Sequence, residues 1–175
     1  MDLAQFWSII GESYRPDSVE QAEALREALG PLMWFEVLDF QALFEKFVAA
    51  ADTPELRAAA FLINGDAADS GFRNFRLGLV ASVKRAYEAA LVEADSLADF
   101  LDGDPLDGFG LDKMAIRAYE EKTGGSDFFA KLAEKHPQAV VTPVKTHWRP
   151  PNAIELRSRF PNLSTLYPSD DEPTA

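Results

Sequence analysis

The sequence predicts an all-α protein, a single compact multi-helix domain with an extended, Pro-containing C-terminal strap. Three observations lead there. Apolar residues recur at spacings of three and four along most of residues 1–136. Helix caps and stops fall between those stretches, and no segment alternates convincingly with the period of two that a half-buried strand needs. After Pro137 the chain changes character: Pro143, Pro150 and Pro151 punctuate VVTPVKTHWRPP, so residues 137–175 read as a strap and tail of the same domain, with Val140-Val141 as the only minor β candidate.

Each helix has a local reason. From Asp2 to Glu12, Leu3, Phe6, Trp7 and Ile10 share a side, and Asp2 with Gln5 three residues on forms a capping pattern. Arg15 to Ser18 reads as a turn and cap, followed by a helix from Val19 to Leu29 that Gly30-Pro31 stops. Met33, Val37, Phe40, Phe44, Phe47 and Ala51 draw one stripe along a third helix, Leu32 to Ala51. Thr53-Pro54 starts a fourth, Glu55 to Ile63, which ends at Asn64-Gly65.

The polar loop GDAADS follows, with Ser70 as the expected cap of a fifth helix running from Gly71 to about Glu93. Phe72, Phe75, Leu79, Val83, Ala86, Tyr87 and Ala90 fall on its core face. A turn over Leu97 to Leu101, capped by Asp95 or Ser96, leads into the irregular DGDPLDGFG. Leu111 to Thr123 is a helix stopped by Gly124-Gly125, and Ser126 is placed to cap a last one through Lys135. Ser169 to Ala175 reads as a frayed tail.

Composition narrows function mainly by exclusion. Seventeen Lys and Arg against 29 Asp and Glu give a net charge of −12, which repels phosphate backbones, so no nucleic-acid partner is expected. The same charge would steer a basic protein partner to the surface, although acidity also serves solubility alone. The absence of Cys excludes thiolate nucleophiles and sulfur-ligated metals. The opening MDLAQFWSII does not look like a signal peptide, and no apolar run approaches the roughly 20 residues of a membrane span, so a cytoplasmic protein with no membrane contact is expected.

Candidate sites are few. Calcium-loop readings starting at Asp66 or Asp102 fail at the twelfth place, which holds Leu77 or Lys113 instead of a bidentate Glu. His136 and His147 have no metal-ligand spacing, and no Walker A, GxGxxG or GxSxG pattern occurs. No catalytic residue, metal site or cofactor is therefore assigned. Lys145, His147, Trp148, Arg149, Arg157 and Arg159 form a locally basic stretch that suits a stacked or anionic ligand, or simply docks Trp148 on the core.

Arg76 is the anomaly. On a continuous fifth helix it lies about 40° from Phe72 and about 20° from Val83, inside the apolar face. A guanidinium there needs a carboxylate or a cavity. Asp66, Asp69 and Glu121 are the expected partners of a structural ion pair. The functional alternative is a small anionic-ligand or enzyme pocket made from Asn64, Asp69, Arg73, Arg76 and Glu121, with Arg76 on the anion and Asp69 or Glu121 handling protons.

The run FLINGDAADSGFRNFR, together with FW at Phe6-Trp7, DSLADF from Asp95, AYEEKTG from Ala118 and RFPNL from Arg159, resembles a bacterial domain-of-unknown-function family, numbered forty-two forty. That resemblance implies a small, mainly helical protein with no assigned activity. The family pattern commonly reads INGGCSDDGF and FRxWL. Asn64, Gly65, Asp69, Gly71, Phe72, Phe75 and Arg76 match it, whereas Asp66, Ala67, Ala68 and Ser70 replace Gly, Cys, Ser and Asp, and Gly78 stands where a Trp is usual. Retention of Asp69 with Arg76 implies a contact between loop and helix. The leading functional expectation is a non-enzymatic protein that works by protein–protein contact, such as an acidic immunity or antitoxin-like partner of a basic protein.

Overall fold

A computed structural model describes residues 1–139 and 148–168, and among these it contains helices and no strand. Ten α-helices are present: α1 (Leu3–Ser13), α2 (Ser18–Leu29), α3 (Trp34–Ala50), α4 (Pro54–Asn64), α5 (Asp69–Ala81), α6 (Lys84–Val92), α7 (Met114–Thr123), α8 (Phe128–Lys135), α9 (Ala153–Arg159) and α10 (Pro161–Leu166). Short 3-10 turns occupy Ala94–Asp99, Leu111–Lys113 and Pro137–Ala139. The all-α expectation holds. The Val140-Val141 β candidate, Lys145 and His147 lie outside the described residues.

The caps are largely those that the sequence encodes. Asp2 accepts from the Gln5 amide, Asp17 from Val19 and Glu20, and Thr53 from Leu56, satisfying donors at the starts of α1, α2 and α4. Gly65, at φ 72°, ends α4 in the left-handed conformation that glycine adopts without a Cβ penalty. Ser126 does not cap α8: Asp127 occupies that position, and its carboxylate accepts from the Tyr119 hydroxyl at 2.9 Å instead. Nor does Ser70 cap α5, which begins one residue earlier, after Ala68.

The long fifth helix is in fact two. The chain leaves helical geometry at Ser82 (φ −77°, ψ −168°), whose hydroxyl and amide both turn back to the Leu79 carbonyl. A serine side chain competing for a backbone carbonyl offers the chain an alternative to continuing the helix. Periodicity alone carried the core face across the break, and Val83 is consequently exposed although Phe72, Phe75, Leu79, Ala86, Tyr87 and Ala90 are buried.

α3 is central, packing against α5, α7 and α8, while α2 lies against α1 and α7. Its stripe buries Val37, Phe40, Phe44 and Ala51, but Met33 at its start is exposed. Rings of Phe6, Trp7, Phe47 and Tyr87 interlock around it at centroid distances of 4.9–5.5 Å, a geometry that adds to the burial of their large apolar faces. The Tyr87 hydroxyl donates to the Phe47 carbonyl at 2.9 Å, and burial pushes its pKa up to about 12.

Two further segments depart from the simplest reading. Residues Ala153–Arg159 and Pro161–Leu166 of the expected extended strap are helical, as α9 and α10. Asp95, expected as a local cap, is instead buried and receives the Asn162 amide at 3.1 Å and the Leu163 amide at 2.9 Å at the start of α10. The DSLADF and RFPNL segments thus meet in space, a distant carboxylate satisfying helix-terminal donors.

The glycine at position 78 also has an account. A Cβ built there would lie 2.9 Å from the Asp107 carbonyl carbon, so the backbone of DGDPLDGFG rests directly on α5. Asn64 holds the same loop by exchanging two 3.0 Å hydrogen bonds with the backbone of Leu106. Asp107 accepts from Asn74 and Ser18 there; burial raises its pKa, but these bonds and those from backbone amides outweigh it and leave the carboxyl low.

Candidate functional site

The polar residues of α4, the following loop and α5 form a layered cluster. Phe72, buried, is met by two guanidiniums, with the Arg57 carbon 5.2 Å and the Arg76 carbon 4.7 Å from its ring centroid. Both distances are within cation–π range. Arg57 is itself buried: its Nε donates to the Ala67 carbonyl at 3.0 Å, and its Nη2 reaches Asp69 at 2.5 Å. It also meets the Trp148 ring at 5.3 Å, and Trp148 packs edge-on against Phe61. The expected docking of Trp148 is thus realised on Phe61 and Arg57.

Arg76 is sequestered, as the helical angles require, but its partner is a different one. Its Nη1 lies 3.0 Å from Asp52 and donates to the Val48 carbonyl at 3.1 Å. The expected partners are engaged elsewhere: Asp69 with Arg57, Glu121 with Arg26 at 3.1 Å, and Asp66 with the Ala68 amide at 2.8 Å. The physical reason is chain geometry, since α3 ends beside α5 and brings the Asp52 turn to the guanidinium. Burial draws the Arg76 pKa down, an effect that Asp52 opposes and the neighbouring Arg73 and Arg57 charges reinforce.

The five residues of the sequence-derived pocket therefore serve different contacts. Asn64 clamps Leu106, Asp69 meets Arg57, Arg73 meets Glu45 at 2.9 and 3.3 Å, Arg76 meets Asp52, and Glu121 meets Arg26. Sequence reasoning missed Arg57, the residue that joins α4, the loop, α5 and Trp148. A signal was available: it is one of only two charges in PELRAAAFLIN and the only cation.

The pairs share an orientation. Side-chain exposure is 8% for Arg57 against 52% for Asp69, and 12% for Arg76 against 58% for Asp52. Cations lie inside and carboxylates face water, with Asp66 also exposed between them in sequence. Arg73 is the exception, being more exposed than Glu45.

A second cluster, on α3 and the end of α8, is arranged in reverse. Asp39 is largely buried and receives Lys135 and His136 Nε2, each at 2.7 Å, and the Met1 amino group at 3.0 Å. Burial would raise this carboxyl, but the hydrogen bonds from Lys135, His136 and the amino group, with the Lys135 charge, outweigh it and bring the pKa down to about 2. A carboxylate only accepts, so the His136 nitrogen facing it carries the proton. Asp39 and His136 line a cleft of about 540 Å³ that also includes Glu45 and Lys46. A smaller cleft of about 240 Å³ lies between Glu55, Leu91, Val92 and Arg159. None of the five sequence-derived residues lines either of these two clefts.

No group of three or more His, Asp or Glu side chains suited to a metal ion occurs among the described residues. No helix among them is long and apolar enough to cross a membrane. Comparison with known proteins finds no matching curated protein and no matching solved structure. A family model does match, over the stretch that contains α1 to α6, the loop after α4 and most of α7. The chain belongs to the family described as protein of unknown function (DUF4240), matched over residues 1–121.

Proposed function

We propose that this chain is a non-enzymatic bacterial protein of the cytoplasm that acts by binding a basic protein partner, in the manner of an acidic immunity or antitoxin-like protein. The observation that carries this reading is the orientation of the ion pairs around Phe72. Burying Arg57 and shielding most of Arg76 while exposing Asp69 and Asp52 turns charge-neutral pairs into a negative outer surface, joined by Asp66. On a chain of net charge −12, that surface favours approach by a cation-rich partner and discourages nucleic acid.

The anionic-ligand or enzyme alternative centred on Arg76 has one observation in its favour. Its Nε is buried without a hydrogen-bond partner. That nitrogen is shielded from solvent, however, and the charge already meets Asp52, so the partner-binding reading is preferred.

The experiment is affinity capture from the native host at low and high salt, with the wild type and a variant carrying Asp52→Asn, Asp66→Asn and Asp69→Asn. Expected is a basic protein retained at low salt, released at high salt, and lost with the folded triple variant. Absence of any retained protein at low salt, or equal retention by the variant, overturns the reading.

A further inference from the structure

We propose that the cleft between the C-terminal half of α3 and the turn after α8 binds a small organic monocarboxylate, its acid group held by Lys46 and His136 and its apolar body laid on Ala42, Leu43 and Ala49. The volume of about 540 Å³ is within the range of small-molecule sites, and those three side chains give it an apolar wall. Its polar groups are few and specific, which is the usual composition of a site that orients one end of an apolar ligand.

The two groups differ in how they are prepared. Lys46 is exposed and makes no ion pair or hydrogen bond with another described residue, although the sequence carries 29 carboxylates. His136 is held from one side: Asp39 accepts from Nε2 at 2.7 Å, and no other described group bonds the ring side chain, so Nδ1 is uncommitted. An imidazole anchored in this way presents its second nitrogen in a fixed orientation, with Asp39 set to balance the charge of any proton that the ring takes up together with the ligand. Gln138 lines the same cleft and adds a neutral amide.

The class of anion follows from the remaining wall. Glu45 also lines the cleft, and although Arg73 meets it at 2.9 Å, its charge disfavours a dianion. A phosphate monoester would bring up to two charges and no extra partner, whereas a carboxylate needs only the two donors present. The site is independent of the acidic outer surface, which uses none of these residues.

Hexanoate tests the assignment, with hexanol, hexylamine and inorganic phosphate as comparison probes, by amide and side-chain NMR shifts of the full chain. Expected are saturable shifts confined to residues 42–49 and 136–138 with hexanoate and not with hexanol or hexylamine. Lys46→Gln, which disturbs no internal contact, weakens binding by about tenfold or more, the loss that accompanies one charge-assisted hydrogen bond. His136→Gln does the same, and Lys46→Arg restores most of the affinity. No saturable shift, equal binding of hexanol, or affinity unchanged in Lys46→Gln would falsify the proposal. Phosphate binding as tightly as hexanoate overturns the carboxylate assignment.

Discussion

The surroundings of Phe72 and of Asp39 are built from the same ingredients in opposite order. Around Phe72 the arginines are inside, at 8% and 12% side-chain exposure, and their carboxylates are outside at 52% and 58%. Around Asp39 the carboxylate is inside, at 17%, and Lys135 and His136 are more exposed at 37% and 22%. A planar guanidinium tolerates burial because its faces stack on rings while its edges donate, and Phe72 and Trp148 supply those faces. A carboxylate tolerates burial only when several donors converge on it, and three do so at Asp39. One net-acidic chain thereby turns carboxylates toward solvent in one region and the cationic side of its pairs toward solvent in another.

The largest effect is expected where the buried member of a pair also bonds the backbone. Arg57→Met removes the donor to the Ala67 carbonyl, the contact to Asp69 and a stacking partner of both Phe72 and Trp148. We expect a loss of about 3 kcal/mol, at the low end for breaking a buried pair because Asp69 is half exposed. Denaturant unfolding measures it, and a loss below about 1 kcal/mol would show that Arg57 does not organise the loop.

Gly78→Ala follows, at about 2 kcal/mol, because the new methyl meets the backbone of Asp107 and not the end of a flexible side chain. Unchanged stability would mean that the DGDPLDGFG loop is free to move off α5. Its position also gives a physical reading of the departure at this site: a Trp on that face of α5 has no room while the loop occupies it.

Asp39 makes the comparison depend on pH. Its folded pKa of about 2 lies below the ordinary carboxyl value of 3.8, so its contribution is complete above about pH 4 and is lost as pH falls from there toward 2. Asp39→Asn is expected to cost about 1.5–2 kcal/mol at pH 7 and progressively less toward pH 2, as fits the loss of charged hydrogen bonds. Equal destabilisation at pH 7 and pH 2.5 would remove the carboxylate from the account.

How much of this was legible in the sequence follows from the range of each signal. Helix identities, most caps and the burial of Arg76 rest on residues within a turn or two of one another, where periodicity and capping chemistry operate. The partner of Arg76 does not: Asp52 sits 24 positions upstream in sequence, and only the packing of α3 on α5 brings it near. Asp95 illustrates the same gap, since its local spacing suggests a cap for its own turn while its oxygens serve α10, 67 and 68 positions away. The break at Ser82 leaves no trace in periodicity because α5 and α6 each obey the same apolar period, which continues through a residue whose backbone does not. Asp39 and His136, 97 positions apart, carry no pattern that links them.

Arg76 gives the smallest expected effect and the sharpest comparison with Arg57, because both guanidiniums face the same ring. Arg76 bonds one backbone carbonyl and one largely exposed carboxylate, and its Nε has no partner among the described residues. Arg76→Met keeps most of the buried volume, removes that orphaned donor and frees Asp52 to be hydrated, so the favourable and unfavourable changes nearly offset. The expected loss is about 1 kcal/mol or less, whereas Asp52→Ala, which leaves the half-buried guanidinium without its counter-charge, should cost at least as much despite altering a more exposed residue. Thermal or denaturant unfolding of the two variants side by side decides the matter. If Arg76→Met is as damaging as Arg57→Met, the guanidinium and not its desolvation dominates, and the two arginines organise the fold equally.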